Sequence, residues 1–207
     1  SFDNPKDYFT TNANATLNLV DWCTRNQVPL IYAGSSSKHS GRYKNPYTFS
    51  KDIGEDIIKL YETHFGLKSS ITRFYNVYGP YQLTEGGYTT LIGRWMNNIE
   101  NDKNCVIYGD GTKRRDFTHI DDIIDALIRI PKRGAWGYSF ELGRGVNHSI
   151  NELAGYFGSD YPTEYIPARD GEYDITLCKD DLAHKSLGWR PIVNLDEYIK
   201  DFVNNLK

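Results

Sequence analysis

The feature that most constrains the fold is a pair of short apolar segments with one long amphipathic helix between them. The first segment, Val28–Ala33, ends at Gly34, and the second, Ser69–Asn76, is soon followed by Gly79-Pro80. Between them, apolar residues recur every three or four positions, which is the helical period. Two strands joined through a helix form a right-handed crossover and pair in parallel. The sequence therefore predicts an α/β fold built on a parallel sheet.

The ends of this central helix carry clear sequence signals. Asn45 and Pro46 are a typical cap and first-turn proline, and Gly66 is a typical stop after His64. The other elements that the sequence predicts are helices over 5–25, 89–98, 120–130, 182–187 and 195–206, strands over 105–108 and 138–142, and a helix that begins with a capping box formed by Ser149 and Glu152.

Composition and charge exclude several classes of function. The 207 residues carry a formal net charge of −3, which argues against nucleic-acid binding through bulk charge. No apolar run approaches the ~18 residues of a membrane-spanning helix, so no membrane partner is expected. The histidines and the three cysteines have no metal-ligand spacing, and no metal is expected. We expect Cys23, Cys105 and Cys178 to be free thiols in a reducing compartment, which predicts a cytoplasmic protein.

Two side chains at the start of the central helix could carry acid–base chemistry. Tyr47 and Lys51 are one turn apart, so both leave the same helical face near its N-terminus. A lysine ammonium and the helix dipole would stabilise the phenolate that a tyrosine base needs. Ser35–Ser37 follows the preceding strand at the edge where open α/β sheets bind ligands, and a hydroxyl there could bind the reacting oxygen. Alternatively, Tyr47 and Lys51 are a chance exposed pair and the serines are an ordinary loop.

Six blocks of sequence occur together in a specific combination. They are Asn12–Leu19 (N-x-x-G-T-x-N-L, with Ala15 for the glycine), Ile31–Ser37, Pro46–Lys51 (P-Y-x-x-S-K), Arg73–Pro80 (R-x-x-N-V-Y-G-P), Tyr108–Phe117 (Y-G-D-G-x-x-x-R-D-F) and Leu187–Pro191 (L-G-W-x-P). On these blocks, and over nearly all its length, the chain resembles the extended short-chain dehydrogenase/reductase family, in its nucleotide-sugar epimerase/dehydratase branch of the UDP-glucose 4-epimerase type. The resemblance implies a Rossmann-like parallel sheet with a smaller C-terminal α/β substrate domain.

The resemblance also implies roles in catalysis and cofactor binding. Tyr47 would be the acid/base, and Lys51 would lower the pKa of Tyr47 and bind the nicotinamide ribose. Ser35 would hold the catalytic serine position, with Ser36 as the alternative if the register shifts by one. NAD is the implied cofactor, with NADP as the alternative, and the residues implied to contact it are Tyr47, Lys51, Phe74 and Asn76.

The implied substrate is a nucleoside diphosphate hexose. Arg115 and Arg169 would clamp its diphosphate, because planar guanidinium groups bind phosphate oxygens in pairs. Arg115 could instead pair with Asp116 or Asp121. Asn12 is expected to tie backbone together beneath the site. The residues implied to bind substrate are Asn76 at the diphosphate or the floor of the pocket, Thr90 and Leu91 near the diphosphate, Tyr108 beside the nucleotide base, Arg115 and Arg169.

A departure from the family pattern refines the expected reaction. In the 4,6-dehydratases, an Asp and a Glu follow the catalytic Ser or Thr, whereas here Ser36 and Ser37 stand in those positions. Neither serine can supply the acid and base for eliminating water. We therefore expect C4 epimerisation through a transient 4-keto sugar. A reductase or dehydrogenase of the same family and a non-catalytic nucleotide-sugar-binding fragment are the alternatives.

The family's glycine-rich G-x-x-G-x-x-G turn is not in this sequence, so we expect the strands that carry it to precede Ser1. The expected domains are 1–79, with a contribution from about 106–130, for the C-terminal part of the dinucleotide-binding domain, and 80–207 mainly for substrate. The resemblance further implies a homodimer through a helix pair that includes Tyr47–His64. The apolar side chains of that helix, Ile53, Ile57, Leu60 and Tyr61, are equally explained by packing on the sheet.

Overall fold

The computed structural model describes residues 1–169 and 172–206, and it contains both helices and strands. The helices are α1 (Pro5–Phe9), α2 (Ala15–Arg25), α3 (Pro46–Phe65), α4 (Leu91–Glu100), α5 (Ile120–Arg133), α6 (Ile150–Phe157), α7 (Leu182–Leu187) and α8 (Leu195–Asn205). The strands are β1 (Leu30–Ser35), β2 (Ser69–Phe74), β3 (Val77–Tyr78), β4 (Cys105–Tyr108), β5 (Arg114–Asp116), β6 (Thr118–His119), β7 (Ser139–Leu142), β8 (Asn147–Ser149) and β9 (Thr163–Ile166).

Backbone contacts divide the chain into two compact units. The first unit comprises Ser1–Phe74, Asp125–Leu142 and Asp180–Trp189, and the second comprises Tyr75–Ile124, Gly143–Lys179 and Arg190–Lys207. The division thus places residues 106–124 in the second unit and 180–189 in the first. The dinucleotide-binding and substrate-binding domains stay a prediction, because a grouping by contact does not show what either unit binds.

The parallel crossover that the sequence predicts is present in the first unit. Strands β1 and β2 pair in parallel from Leu30 opposite Ser69 to Ser35 opposite Phe74. β7 pairs in parallel with the other edge of β2, which gives the order β1-β2-β7. The second strand was predicted to reach Asn76 but ends two residues earlier. Asn76 has a φ of +28°, a left-handed conformation that no strand residue adopts.

Helix α3 forms where the sequence predicts it and packs on the sheet of the first unit. The side chain of Asn45 accepts a hydrogen bond from the backbone nitrogen of Thr48, and Gly66 ends the helix with a φ of +73°. Ile58 on α3 is fully buried against a core that includes Val20 of α2 and Ile71 of β2. Core packing of this kind stabilises a helix more than its intrinsic propensity does.

The predicted N-terminal helix, residues 5–25, is helical throughout but contains one wider turn. Thr10–Asn14 form a π-helical turn between α1 and α2. Within this turn, the side-chain nitrogen of Asn12 donates a hydrogen bond to Oγ of Ser50 at 3.0 Å. The backbone carbonyl oxygen of Asn12 accepts a hydrogen bond from Oγ1 of Thr16 at 2.7 Å. Asn12 therefore connects the first helical segment to α3.

The second unit has its own core between α4, α6, α8 and the short strands. Its fully buried side chains include Tyr78, Trp95 and Leu153. Strands β4 and β9 pair in parallel, as do β3 and β6, whereas β5 and β8 are antiparallel. The capping box predicted at the start of α6 is confirmed, because the backbone nitrogens and side chains of Ser149 and Glu152 bond reciprocally.

One buried carboxylate connects distant segments of the second unit. Asp116 is fully buried, and its oxygens accept hydrogen bonds from the backbone nitrogens of Arg144, Gly145 and Cys178, each at 2.9 Å. Burial raises the pKa of Asp116, and the three N–H donors oppose that rise. Such donors replace the water that a buried carboxylate loses, so Asp116 fixes the ends of β5 and of the 143–145 turn.

Cys23, Cys105 and Cys178 are buried, and within the described part of the chain none of them forms a disulfide, as predicted. Burial raises the pKa of Cys23 and Cys105, which makes these thiols poor nucleophiles. Among the helices of the part that the structure describes, none has the length and apolar character to cross a membrane.

Candidate active site

The triple serine lies at the carboxyl end of β1, where its three hydroxyls have different partners. Ser35 is the last strand residue, and a 3-10 turn runs over Ser36–Ser40. Oγ of Ser36 donates to the carbonyl oxygen of Phe74 at 2.8 Å. Oγ of Ser35 lies 2.8 Å from Oγ of Ser37 and accepts from the backbone nitrogen of Ser37 at 3.3 Å. The Ser36 hydroxyl is thus bound to the protein, whereas that of Ser35 keeps donor capacity.

A fourth hydroxyl extends this group. Oγ1 of Thr48, on the first turn of α3, donates to Oγ of Ser37 at 3.2 Å. Thr48 is fully buried and Ser37 is 8% exposed, whereas Ser35 is half-buried. Thr48 was not predicted as a site residue, although it directly follows Tyr47 in the sequence and three serines end the neighbouring strand.

Tyr47 and Lys51 lie on the first two turns of α3, as predicted. The Tyr47 side chain is 38% exposed, and its ring meets that of Tyr8 edge-on with centroids 6.1 Å apart. Nζ of Lys51 donates to the carbonyl oxygen of Ala33 on β1 at 2.6 Å and lies 4.4 Å from the ring centroid of Tyr32. These contacts hold the ammonium against the strand that carries Ser35.

The environment of Lys51 shifts its protonation. Burial lowers the pKa of Lys51, and the negative charge of Glu55 one turn away partly opposes that shift. The ammonium carries three N–H donors, and the Ala33 carbonyl takes one of them. Lys51 is therefore a half-buried cation with donors to spare beside an exposed phenol, a pairing suited to binding a ribose hydroxyl and to stabilising a phenolate.

Directly behind the serines lies a buried ion network that sequence reasoning missed. Glu55 binds Arg73 through two guanidinium nitrogens and Lys38 through its ammonium, all within 3.1 Å. Arg73 also binds Glu141 at 2.7 Å, and Glu141 contacts His39 at 2.8 Å. Because these residues come from distant parts of the sequence, no local pattern reveals the network.

The network requires a glycine in β1. A Cβ atom at position 34 would lie 2.5 Å from Oε1 of Glu55, far inside contact distance. Gly34 therefore allows the Glu55 carboxylate to approach the strand backbone directly before Ser35. This close packing fixes the strand end that presents the serine hydroxyls.

The second unit contains a pocket of about 360 Å³, a size suited to a small-molecule ligand. Apolar side chains such as Leu91 and Phe117 line it beside basic and aromatic ones. All six of the residues implied to bind substrate contribute to its lining: Asn76, Thr90, Leu91, Tyr108, Arg115 and Arg169. The structure thus brings together side chains that are up to 93 positions apart in the sequence, from Asn76 to Arg169.

Two arginines of this pocket have polar or aromatic partners, and among the described residues neither forms an ion pair, although the charges of Glu172 and Asp174 act on Arg115. Nη1 of Arg115 donates to the carbonyl oxygens of Arg114 and Asp174 at 3.0 and 3.3 Å. The guanidinium carbon of Arg169 lies 3.4 Å above the ring centroid of Tyr108. Lys113, in contrast, pairs with Glu172 at 2.9 Å. Burial lowers the pKa of Arg115, which stays cationic because an arginine does not deprotonate in proteins.

Some predicted contacts need correction. The alternative in which Arg115 pairs with Asp116 or Asp121 is wrong, because the Asp116 carboxylate turns to backbone nitrogens and Asp121 lies beside His119. The amide nitrogen of Asn76 already donates to the Asp116 carbonyl and to Thr176, both at 2.9 Å. The Asn76 side chain thus shapes the pocket wall, and its amide nitrogen is engaged there.

Thr90 also has a structural task. Its hydroxyl donates to Gln82 at 2.7 Å and accepts from the backbone nitrogen of Gly93 at 3.0 Å, which caps α4. The start of α4 consequently lies at the pocket wall, and its unpaired backbone N–H groups and dipole favour an anion there.

The residues implied to contact a dinucleotide fall in both units. Tyr47, Lys51 and Phe74 belong to the first unit, and Asn76 belongs to the second. The exposed phenol of Tyr47 and the ammonium of Lys51, with its spare donors, fit the ribose end of a nicotinamide nucleotide. The pyrophosphate-binding glycine turn is not among the 207 residues.

Comparison with known proteins identifies the family of the chain. Residues 1–143 match the model of the NAD dependent epimerase/dehydratase family. A UDP-glucuronate 4-epimerase of Thermodesulfobacterium geofontis is 31% identical, over 99% of this chain and 67% of that protein. A putative UDP-glucose 4-epimerase of Methanocaldococcus jannaschii is 30% identical, over 100% of this chain and 72% of that protein.

Solved structures of the same kind superpose over almost the whole chain. A UDP-glucuronic acid 4-epimerase of Bacillus cereus, crystallised with UDP-glucuronic acid and NAD, has 25% identity and a TM-score of 0.85 over 98% of this chain and 70% of that one. A UDP-glucose 4-epimerase of Thermotoga maritima, with UDP-glucose, shares the fold at 24% identity and a TM-score of 0.89, over 99% and 72% of the two chains. The chain belongs to the NAD-dependent epimerase/dehydratase family, and the Rossmann-like α/β fold is confirmed.

Proposed function

We propose that the protein is an NAD-dependent epimerase that inverts C4 of a nucleoside diphosphate hexose through a transient 4-keto sugar. The observation that carries the proposal is the meeting of all six substrate candidates in one pocket of the second unit. Membership of the NAD-dependent epimerase/dehydratase family supports the same reaction class. The neighbouring epimerases named above act on UDP-sugars, which makes a UDP-hexose the first substrate to test.

In this reaction Tyr47 is the acid/base. Its side chain acts as the phenolate, which the Lys51 ammonium and the N-terminal dipole of α3 stabilise, and it becomes the neutral phenol when it accepts the proton of the C4 hydroxyl. Ser35 donates a hydrogen bond to the C4 oxygen as it becomes a ketone. NAD, when bound, would accept the hydride from C4 and return it to the other face of the same carbon. Tyr47 returns its proton to the C4 oxygen once the sugar has turned over.

The pocket of the second unit holds the nucleotide in this proposal. Arg115 and Arg169 bind the diphosphate, because their guanidinium groups present paired donors to phosphate oxygens. The start of α4 at Thr90 and Leu91 adds backbone donors to the same anion. Tyr108, beneath the Arg169 guanidinium, packs against the base.

Epimerisation is favoured over dehydration by the two serines that follow Ser35. Elimination of water needs an acid and a base beside the sugar. The hydroxyl proton of Ser36 is donated to the Phe74 carbonyl, and the side chain of Ser37 is buried, so neither serine supplies that acid or base. A reductase would instead consume reduced nicotinamide in proportion to product. Absorbance at the nicotinamide band during turnover therefore distinguishes the two, because an epimerase shows no net change.

The test is the substitution Tyr47→Phe in the full-length protein, assayed with NAD and a UDP-hexose. Loss of a general acid/base lowers kcat by about 100- to 10,000-fold. Tyr43→Phe is the matched control, since this tyrosine is 79% exposed in the loop that precedes α3 and keeps its ring contact with Phe49. Turnover near the wild-type rate in the Tyr47→Phe variant would contradict the proposal.

A homodimer and a cytoplasmic location are further parts of the proposal. On α3, Ile57 and Tyr61 pack against the core of the first unit, so packing explains them, whereas Leu60 is 51% and Phe65 58% exposed. Exposed apolar side chains of this helix support an interface with a second copy. Sedimentation equilibrium at micromolar concentration would reject the dimer by returning the mass of a single chain.

A further inference from the structure

The three aligned hydroxyls of Thr48, Ser37 and Ser35 have no role in the function proposed above beyond that of Ser35. We propose that Thr48 and Ser37 are positioning residues, which orient the Ser35 hydroxyl so that its proton points away from the protein and toward the reacting oxygen of the substrate. This inference rests on the proposed function, because it concerns how Ser35 comes to be a donor.

The direction of the chain follows from the number of protons. A serine hydroxyl has one donor and two acceptor sites. Thr48 donates its proton to Ser37 at 3.2 Å. Either hydroxyl could be the donor in the 2.8 Å contact between Ser37 and Ser35. We assign the donor to Ser37, because its hydroxyl is buried and its contacts among the described residues offer its proton no other acceptor. The backbone nitrogen of Ser37 donates to the same Ser35 oxygen at 3.3 Å. Both acceptor sites of Ser35 are then filled from within the protein, and its single proton is directed outward.

Burial keeps water from competing for the hydrogen bonds between these hydroxyls. Thr48 is fully buried, Ser37 is 8% exposed, and only Ser35 at the end of the chain of hydroxyls is half-buried. In a site of low polarity, hydrogen bonds in series polarise one another, so each hydroxyl becomes a stronger donor to the next. The Thr48 backbone is itself held by the Asn45 side chain at 2.8 Å, which fixes the start of the chain.

The neighbouring Ser36 shows what happens without such support. Its proton goes to the Phe74 carbonyl at 2.8 Å, so this hydroxyl has no proton left for a ligand. Two adjacent serines of the same turn thus differ in function because of their partners. The difference also explains why Ser35, rather than Ser36, suits the catalytic position.

The experiment is a double-mutant cycle between Thr48→Val and Ser35→Ala in the full-length protein, with NAD and a UDP-hexose. Valine keeps the shape of threonine and removes the hydroxyl. We expect Thr48→Val to lower kcat about fivefold, the equivalent of one hydrogen bond of ordinary strength. KM for the nucleotide sugar stays unchanged, since the pocket of the second unit is untouched. In the Ser35→Ala background the same substitution has no further effect, because the donor it orients is gone.

Two controls separate positioning from stability. Thr48→Ser keeps the hydroxyl and restores kcat. Thr63→Val removes a hydroxyl from the same helix, where it only binds the Lys59 carbonyl, and leaves kcat at the wild-type value. Should Thr48→Val lower the melting temperature too far for assay, Ser37→Ala enters the cycle in its place with the same expected coupling.

The outcomes distinguish this inference from the proposed function. If Ser35→Ala lowers kcat on the order of 100-fold but Thr48→Val costs the same factor with and without Ser35, the orienting role is wrong and the function stands. An unchanged kcat in Thr48→Val overturns the inference equally. If Ser35→Ala itself turns over at the wild-type rate, it is the proposed function of Ser35 that fails.

Discussion

The two units of the protein contain similar basic side chains and use them in opposite ways. In the first unit, Lys38 and Arg73 are enclosed in a network where the carboxylates of Glu55 and Glu141 neutralise them. In the second unit, Arg115 meets backbone carbonyls and Arg169 an aromatic ring. Within residues 1–169 and 172–206, neither of these two arginines forms a salt bridge.

This difference teaches which charges maintain the fold and which can serve a ligand. A cation whose carboxylates lie within 3 Å has its field cancelled locally, and removing either partner leaves a buried charge uncompensated. A cation that rests on carbonyl dipoles or on an aromatic face keeps its net charge for an anion that arrives. Burial alone therefore does not identify a binding residue; the identity of its partners does.

The largest effect is expected where the network of the first unit is broken. Glu55→Ala removes the carboxylate that Arg73 and Lys38 share, so that Arg73 keeps only Glu141 and Lys38 keeps only Asp52 among the described ion pairs. It should lower the free energy of unfolding by about 3 kcal/mol. Urea denaturation at pH 7 measures this. Asp181→Ala, which removes the exposed ion pair with Lys185, should leave the midpoint unchanged within error. Equal losses in both variants would contradict the distinction.

A smaller effect is expected in the pocket of the second unit, and it falls on binding rather than on stability. Arg115→Ala should raise the Kd for UDP about 10- to 100-fold, the value of one or two hydrogen bonds to a charged group. Titration calorimetry measures it, and the loss should shrink as salt is raised. Arg129→Ala, in the first unit, is the matched control, because this arginine already binds Asp125. A similar loss in the control would show that the charge at Arg115 has no specific task.

The smallest effect is a pH dependence within the network. Burial tends to raise the pKa of Glu141, but the hydrogen bonds from His39 and Arg73 prevail and leave it below its ordinary value of 4.5. A carboxylate with a lowered pKa in the folded state stabilises the fold above its ordinary pKa, and this contribution is lost as pH falls through the folded value. Between pH 6 and pH 3, urea midpoints of the wild type should therefore fall more steeply than those of Glu141→Gln. Parallel curves would mean that the Arg73 contact is electrostatically neutral.

Local signals predicted the secondary structure well, since each depends on residues a few positions apart. Asn45 caps α3 and Ser149 forms a capping box with Glu152, as expected from their spacing. The π-helical turn over Thr10–Asn14 was missed, because nothing in its composition distinguishes it from ordinary helix. The early end of β2 was also missed, since the positive φ of Asn76 depends on tertiary contacts with Asp116 and Thr176.

Sequence motifs predicted which residues form the candidate site, but not the contacts that these residues make. The resemblance identified the residues that the pocket brings together, but not how their polar atoms are engaged, as Thr90 and Asn76 illustrate. The Glu55–Arg73–Glu141 network joins residues whose numbers differ by up to 86. Contacts between such distant residues leave no pattern in the local sequence from which they could be predicted. Pairing of Arg115 with Asp116 was a reasonable expectation from adjacency, and three backbone N–H donors outcompeted it.

The hydrogen bonds of Asp116 also set an order of events during synthesis. Translation proceeds from the N-terminus, and Cys178 follows Asp116 by 62 positions. At about 5–20 residues per second, the ribosome needs roughly 3–12 s to add them. During that interval the Asp116 carboxylate can bind water and the backbone nitrogens of Arg144 and Gly145, but not that of Cys178. The hydrogen bonds of the 75–124 segment are therefore completed only after Cys178 has been synthesised. A cleavage between these positions would separate the Asp116 carboxylate from the Cys178 donor on the chain.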